Sequence, residues 1–290
     1  MSTDLPLHLI EAAQLAQALS ASGASRKVVI FDCRHDLAHP DWGRQEFAAA
    51  HIPGAVFAHL DHDLSGPVTP QSGRHPLPDP AKLAAFLGAA EVDANTQVVA
   101  YDQDKSMFAA RLWWLLRWLG HERASVLNGG LAAWQAAPLP LEHTSAPRTA
   151  VQFSARPALV QPVTTLAVAR ELGTGEMLLL DARGADRFAG HNETIDAVAG
   201  HVPGARNQPF ALNLAAGGRL LPPAALAKMW HTVLGATPPS QVVAMCGSGV
   251  TACHNLLAMQ LAGLPGARLY AGSFSEWIRD PARPVATGPA

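Results

Sequence analysis

The stretch "VVAMCGSGVTACHNLLAM", residues 242–259, consists of an apolar strand-like run, a glycine-rich loop and a second apolar run of helical character. An earlier stretch, "VVAYDQDKSMFAARLWWLL" at residues 98–116, has the same order of parts. Three further pairs of blocks recur in the same order, at separations between 143 and 150 residues: "VVIFDCRHD" (28–36) with "MLLLDARGAD" (177–186), "AAAHIPGAVF" (48–57) with "VAGHVPGARN" (198–207), and "ASVLNGGLAAW" (124–134) with "ARLYAGSFSEW" (267–277). Four blocks at nearly one separation indicate two copies of one domain.

The strand-like runs in each copy are continuously apolar, and helical patterns lie between them. In the second copy "MLLLD" and "QVVAMC" are predicted to be strands, and "LVQPVTTLAVARELG" and "LPPAALAKMWHTVLG" are predicted to be helices. Continuous apolar strands are typical of a parallel sheet that is covered on both faces. The sequence therefore predicts an α/β protein with two tandem domains, each a mostly parallel sheet with helices on both faces.

A proline-rich stretch without sustained periodicity separates the two copies, as is typical of a linker. We therefore predict a first domain at residues 1–138, a linker at 139–157 and a second domain at 158–290. The first domain has Asp102 at the position that corresponds to Cys246 of the second domain, and its loop contains no glycine. We expect the first copy to be inactive and the second to be catalytic.

The composition narrows the class of protein. The chain has 290 residues, of which 49% are hydrophobic and 15% charged, and its formal net charge is −2. This charge gives no electrostatic case for binding nucleic acid or an anionic membrane, and no apolar run approaches the length of a membrane span. The N-terminal 25 residues are predicted to form a short amphipathic helix rather than a secretory signal. Three sparse cysteines favour a reducing, cytoplasmic location, and their spacing does not match a zinc site.

The loop after "VVAM" places a reactive side chain, Cys246, beside a flexible backbone. In open α/β sheets ligands bind beyond the carboxyl ends of the strands, where the next helix begins. Glycines let successive N–H groups converge on one point, and the start of the following helix adds its positive end. This arrangement favours a thiolate and predicts that the loop stabilises a persulfide on Cys246. An isolated cysteine after a strand is more often buried and inert, so the prediction depends on the loop. The expected backbone contacts to the substrate come from Gly247, Gly249, Val250 and Thr251.

These blocks resemble the two-domain rhodanese-like sulfurtransferases over essentially the whole chain. The segment "CGSGVTACH" (246–254) is similar to the active-site loop of the 3-mercaptopyruvate sulfurtransferases, whereas thiosulfate-preferring rhodaneses carry basic residues in that loop. The resemblance implies two rhodanese-like domains, with the second domain active through Cys246. A loop that offers only dipoles favours a singly charged donor whose carboxylate is bound elsewhere.

The resemblance also implies roles for residues outside the loop. Arg187 in "DARGADRF" matches the family arginine that binds the donor carboxylate, and a guanidinium suits such a group. His75 and Asp61 match a relay with Ser248 that moves a proton while pyruvate enolate leaves. Arg74, beside His75, is a further candidate for substrate binding. By spacing alone, a solvated loop histidine is as good an interpretation of His75 as a catalytic one. Without the resemblance, a surface salt bridge would be the preferred interpretation of Arg187. The stretch "HNETIDAVAGH" (191–201) lacks the second arginine that mercaptopyruvate-type members often have, which leaves the preferred donor open.

The predicted function is sulfur transfer in two half-reactions, without a cofactor or metal. Cys246 takes sulfur from 3-mercaptopyruvate or thiosulfate, and cyanide, a small thiol or a protein thiol then takes it from the persulfide. A thiosulfate-preferring rhodanese is the alternative within this class. A tandem binding or regulatory module with a redox thiol is the alternative outside it. A cysteine phosphatase would need Cys-x5-Arg, but Ala252 stands at the arginine position.

Overall fold

The computed structural model describes residues 5–20 and 27–289. The chain forms two compact units, and neither is continuous in sequence. The first comprises residues 1–66, 78–159 and 216–220, and the second comprises residues 67–77, 160–215 and 221–290. Residues 1–4 and 21–25 of the predicted N-terminal helix lie outside the described residues. Its described part contains a helix at Ala12–Ser20.

The first unit is built on a five-stranded sheet in which every pair of neighbouring strands is parallel. The order of strands across the sheet is β1-β5-β4-β2-β3. Its elements are β1 His8–Ile10, α1 Ala12–Ser20, β2 Val28–Asp32, α2 Trp42–Ala49, β3 Ala55–Phe57, α3 Pro80–Ala89, β4 Gln97–Tyr101, α4 Ala109–Trp118, β5 Ala124–Leu127 and α5 Gly130–Ala136.

The second unit has a four-stranded parallel sheet in the order β7-β6-β8-β9. Its elements are α6 Thr165–Glu171, β6 Leu178–Asp181, α7 Ala185–Phe188, β7 Arg206–Asn207, a 3-10 helix Phe210–Asn213, α8 Pro223–Leu234, a 3-10 helix Pro239–Gln241, β8 Val242–Met245, α9 Thr251–Leu261, β9 Arg268–Leu269 and α10 Ser273–Trp277. The central strands β6 and β8 are buried along their whole length, as continuous apolar runs require. The predicted α/β fold with two parallel sheets is confirmed.

The repeat is visible in individual hydrogen bonds at the ends of equivalent strands. Asp32 ends β2, and its carboxylate accepts the N–H of Arg34 at 2.9 Å and an Nη2 hydrogen bond from the same residue at 2.7 Å. Asp181 ends β6 and has the same two contacts with Arg183, at 3.0 and 2.7 Å. Burial alone lowers the pKa of Arg183, but the charge and hydrogen bonds of Asp181 outweigh burial and raise it. Both pairs fix the turn after the strand.

The two histidines of the Pro-Gly blocks also have matching structural contacts. His51 stacks on Phe47 with ring centroids 3.9 Å apart, and its Nδ1 lies 2.6 Å from the Phe47 carbonyl. His201 stacks on Phe188 at 3.7 Å, with Nδ1 2.8 Å from that residue's carbonyl. The same packing occurs in the copy that contains Cys246 and in the copy that has Asp102 at that position. These histidines therefore serve the fold.

The predicted linker, residues 139–157, is irregular but is packed onto the first unit. Phe153 is buried, and the N–H groups of Val151 and Arg156 donate to the carbonyls of Gly88 and Leu119 at 2.9 Å each. The predicted boundaries after residues 138 and 157 stay predictions, because the compact units follow a different division. No helix among the described residues is long and apolar enough to cross a bilayer.

Candidate active site

Cys246 directly follows β8, and α9 begins at Thr251, as the sequence predicts. The Gly249 N–H donates to the Cys246 Sγ at 3.1 Å, so the loop backbone curls around the sulfur. Val250 is the residue before the first turn of α9, where amide groups point away from the helix. Cys246 is only 2% exposed. The loop thus surrounds the sulfur atom with backbone, and the positive end of a helix lies close to it.

The start of α10 holds the cysteine loop in place. Ser273 Oγ accepts the Cys246 N–H at 3.1 Å, and the Phe274 N–H donates to the Cys246 carbonyl at 3.1 Å. The Ser275 N–H donates to the Gly247 carbonyl at 2.9 Å. Ser273 adopts a φ of 55°, a conformation that non-glycine residues rarely take. The loop is therefore pinned along its backbone by a second segment that comes from a separate block of the repeat.

The same backbone contacts recur in the first unit and establish which residue corresponds to Cys246. The Leu131 N–H donates to the Asp102 carbonyl at 2.8 Å, and the Ala132 N–H donates to the Gln103 carbonyl at 3.0 Å. These bonds match those made by Phe274 and Ser275 in the second unit. Asp102 therefore occupies the position that Cys246 has in the second copy.

The Asp102 carboxylate shows what this position can bind. It is buried and accepts the N–H groups of Ser106, Phe108 and Ala109, at 2.9, 2.8 and 3.3 Å. Burial raises the pKa of Asp102 to about 6, although the three amide donors act in the opposite direction. Backbone amides before α4 thus bind an acidic group in the first copy. This is the kind of site that the sequence predicts at Cys246 in the second copy.

Two loop glycines are required for different reasons. Gly249 has a φ of +77°, and a Cβ at this position would lie 2.4 Å from the Ala271 carbonyl oxygen. A Cβ on Gly247 would lie 2.7 Å from the Arg74 Nη2 and 3.8 Å from the Arg187 Nη2. Gly249 therefore permits the turn, and Gly247 permits two cationic side chains to approach the loop.

The segment with Arg74 and His75 belongs to the second unit, although it comes from the first sequence repeat. His75 Nδ1 lies 2.7 Å from Ser248 Oγ, and His75 is 5% exposed. The Arg74 N–H donates to Ser275 Oγ at 3.1 Å, which ties this segment to the start of α10. The structure therefore brings the predicted histidine and serine into hydrogen-bond contact.

Arg187, at the end of α7, is part of a network of ion pairs. Its guanidinium binds both carboxylate oxygens of Glu193, with Nε to Oε2 at 3.0 Å and Nη2 to Oε1 at 2.9 Å. Its Nη2 also binds Asp196 Oδ2 at 2.9 Å. Arg74 forms an ion pair with the other oxygen of Asp196. The two carboxylates are buried, with side-chain exposures of 3% and 1%, whereas the two arginines are partly exposed at 21% and 27%. Both guanidiniums are thus held beside the loop with part of their surface free for an anion.

Glu193 is held as a carboxylate at the base of this network. It accepts the N–H groups of Ile195 and Asp196 at 2.8 and 2.9 Å. Burial raises its pKa, but these amides and Arg187 outweigh burial, and the pKa falls below its ordinary value. Sequence analysis missed Glu193 and Asp196. The signal that the sequence offers for them is two acidic residues shortly after Arg187.

Asp61 lies in the first unit, where its N–H donates to His59 Nδ1 at 3.1 Å. Its predicted place in a proton relay stays a prediction. His35, His59 and Asp61 are also a group in the described chain whose ligand atoms, all within 4.8 Å of one another, are close enough to hold a metal ion. Burial, followed by the charge of His62, lowers the pKa of His59.

Comparison with known proteins agrees with the fold. The rhodanese-like domain family matches residues 11–137 and 164–280, and the chain belongs to this family. A protein of Pseudomonas aeruginosa named "Probable 3-mercaptopyruvate sulfurtransferase" is 48% identical over 275 residues, which are 94% of this chain and 97% of that protein. The "Thiosulfate sulfurtransferase" of Gallus gallus is 33% identical over 277 residues, with 93% of each chain covered.

A solved structure gives the same result for the fold. The crystal structure of SseA from Escherichia coli, described as a 3-mercaptopyruvate sulfotransferase with the rhodanese fold, superposes with a TM-score of 0.78 at 30% identity. The match covers 93% of this chain and 100% of that chain. The prediction that this chain is a sulfurtransferase enzyme with two rhodanese-like domains is confirmed.

Proposed function

We propose that the protein transfers sulfur from 3-mercaptopyruvate to a thiophilic acceptor through a persulfide on Cys246. The observation that carries this proposal is the Gly249 N–H bound to the Cys246 Sγ, in a loop whose counterpart holds a carboxylate with three amides. A persulfide would place a second, negative sulfur beside the loop that carries the Gly249 N–H and near the start of α9. Electrostatic stabilisation of this kind needs no metal or cofactor.

In the first half-reaction the Cys246 thiolate attacks the thiol sulfur of the donor. A sulfur–sulfur bond forms, the carbon–sulfur bond of the donor breaks, and its electron pair goes to the carbon of pyruvate enolate. The proton of the donor thiol must reach that carbon. Ser248 and His75, whose Oγ and Nδ1 atoms are 2.7 Å apart, supply a path for it. The products are pyruvate and the Cys246 persulfide anion.

In the second half-reaction an acceptor nucleophile, such as cyanide or a thiol, attacks the outer sulfur. The sulfur–sulfur bond breaks, its electron pair returns to Cys246, and the sulfur leaves on the acceptor. Arg187 and Arg74 bind the carboxylate of the donor in the first step, because their guanidiniums lie beside Gly247 and remain partly exposed. We also propose a cytoplasmic location. It is supported by the three free cysteines, since a reducing compartment keeps thiols in this state.

Mass spectrometry of the intact chain and its peptides tests the persulfide. Incubation with 3-mercaptopyruvate should add about 32 Da, one sulfur atom, to the Cys246 peptide. Cys246→Ser should abolish both this gain and the transfer of sulfur to cyanide. Cys33→Ala is the matched control, because Cys33 is a buried thiol in the first unit and should leave loading unchanged. Loading at Cys33 or Cys253 in place of Cys246 would disprove the proposal.

Thiosulfate is the second candidate donor, and the two guanidiniums beside Gly247 favour it because they would attract a dianion. In that reaction the thiolate attacks the outer sulfur and sulfite leaves. The ratio of kcat/KM for the two donors decides between them. A larger value for 3-mercaptopyruvate supports the proposed donor, and a larger value for thiosulfate replaces it.

A further inference from the structure

Two arginines and two acids meet beside the cysteine loop, and the acids are the buried members. Arg187 and Arg74 contact Glu193 and Asp196, and Arg183, itself paired with Asp181, lies 3.6 Å from Glu193. The network therefore balances three positive formal charges against three negative ones. A pair of arginines next to an anion site would by itself attract a dianion more strongly than a monoanion. Here the carboxylates remove that preference.

Asp196 is the member that connects both arginines. One of its oxygens binds the Arg187 Nη2 at 2.9 Å, and the other binds the Arg74 Nη1. Its Oδ2 would lie 3.8 Å from a Cβ on Gly247, so its charge is close to the loop that receives the donor. Its side chain is only 1% exposed, and water therefore screens this charge weakly.

We propose that Asp196 determines the charge of the donor that the site accepts. It holds the two guanidiniums in position and cancels part of their charge, so that the site favours a monocarboxylate over a dianion. Asp196 is thus a positioning and selectivity residue that acts through Arg187 and Arg74. This inference deepens the proposed function, since it assigns the discrimination between 3-mercaptopyruvate and thiosulfate to one buried carboxylate.

Binding of unreactive anions tests the inference without requiring turnover. Pyruvate serves as the monoanion and sulfate as the dianion, and titration calorimetry on the full chain gives a dissociation constant for each. Asp196→Asn keeps the shape of the side chain and removes its charge. We expect the affinity for sulfate relative to pyruvate to rise roughly tenfold, the order that one additional weakly screened charge supplies.

The kinetic preference for thiosulfate over 3-mercaptopyruvate should also rise. Asp196→Asn should raise the ratio of kcat/KM for thiosulfate to kcat/KM for 3-mercaptopyruvate by a similar factor. Asp280→Asn is the control, because it makes the same change in net charge at an exposed residue of the second unit. An unchanged or lower ratio in Asp196→Asn, or an equal rise in Asp280→Asn, would overturn the inference.

Arg74→Gln should change the affinity for sulfate relative to pyruvate in the opposite direction. It also tests the inference if Asp196→Asn does not fold. Removing this partly exposed positive charge should lower the affinity for sulfate more than that for pyruvate, and an unchanged ratio would count against the inference. If the wild-type chain forms no persulfide with either donor, the proposed function fails. The two anion titrations still decide the role of Asp196 in that case.

Discussion

Asp102 and Cys246 occupy equivalent positions, and both have side chains that can carry a negative charge. In the first copy the acidic group belongs to the protein itself, and three backbone amides donate to it. In the second copy the shorter glycine loop leaves a sulfur atom that can be extended by a second one. The contrast is chemical: the carboxylate of Asp102 fills its own site, whereas in the proposed reaction the sulfur of Cys246 accepts and releases a second sulfur atom.

Burial of Asp102 predicts a specific pH dependence of stability. The pKa of this carboxyl is about 6 in the folded chain, and an unfolded aspartate titrates near about 3.9. Between these pH values the folded chain retains a proton that the unfolded chain has lost. The free energy of unfolding should therefore fall as pH rises from about 4 to about 6, by up to about 3 kcal/mol from this group.

Asp102→Asn removes that contribution, because an amide does not titrate. Urea unfolding at a series of pH values should show a smaller decrease between pH 4 and 6 in the variant than in the wild type. Parallel curves for the two proteins would show that the buried carboxylate keeps an ordinary pKa.

The contact between His75 and Ser248 predicts that the two donors depend differently on proton transfer. Pyruvate enolate must be protonated as it leaves, whereas sulfite leaves as a stable anion. His75→Gln should therefore lower kcat for 3-mercaptopyruvate by roughly 10²-fold and change kcat for thiosulfate little. His231→Gln, an exposed histidine on α8, is the control and should change neither. An equal loss for both donors would show that His75 only shapes the loop.

At the scale of elements, the loop between β8 and α9 is shaped by its glycines and by the start of α10. Gly249→Ala should lower the free energy of unfolding by roughly 1–3 kcal/mol and slow persulfide loading, because a positive φ and a clash with the Ala271 carbonyl coincide there. Gly263→Ala is the matched control, since Gly263 has a φ of +76° with nothing within 4 Å of an added Cβ. Persulfide loading of this variant should be normal. Urea unfolding and mass spectrometry measure both quantities, and equal effects of the two variants would contradict the role of the clash.

The strand, loop and helix around Cys246 were predictable from sequence because their interactions are local. β8 is a continuous apolar run, Gly249 permits the turn, and α9 begins at Thr251 as expected. The support from Ser273 was not predictable, since it depends on a positive φ and on hydrogen bonds across 27 residues. Asp196 was missed for the same reason, because its partner Arg74 is 122 residues away.

At the scale of the whole molecule, the two repeats in sequence are not the two units in space. Residues 67–77 come from the first repeat and carry Arg74 and His75 into the second unit. Residues 216–220 come from the second repeat and belong to the first unit. A single repeat cut at the predicted boundaries would therefore lack part of its own packing, and the second repeat alone would lack three of the predicted site residues, Asp61, Arg74 and His75.

The segment 216–220 allows a test of whether a segment of one repeat stabilises the unit formed by the other. Leu220 is 5% exposed, its N–H donates to Asn128 Oδ1 at 2.9 Å, and Arg219 forms an ion pair with Glu11 at 2.7 Å. Leu220→Ala should cost about 2 kcal/mol or more of stability, as buried leucines do. Hydrogen exchange should then rise in peptides of the first unit, such as residues 124–134, although the substitution lies in the second repeat. Leu212→Ala, at a leucine that is 53% exposed, should leave exchange in those peptides unchanged. If Leu220→Ala increases exchange only in the second unit, residues 216–220 do not stabilise the first, and each repeat completes its own core.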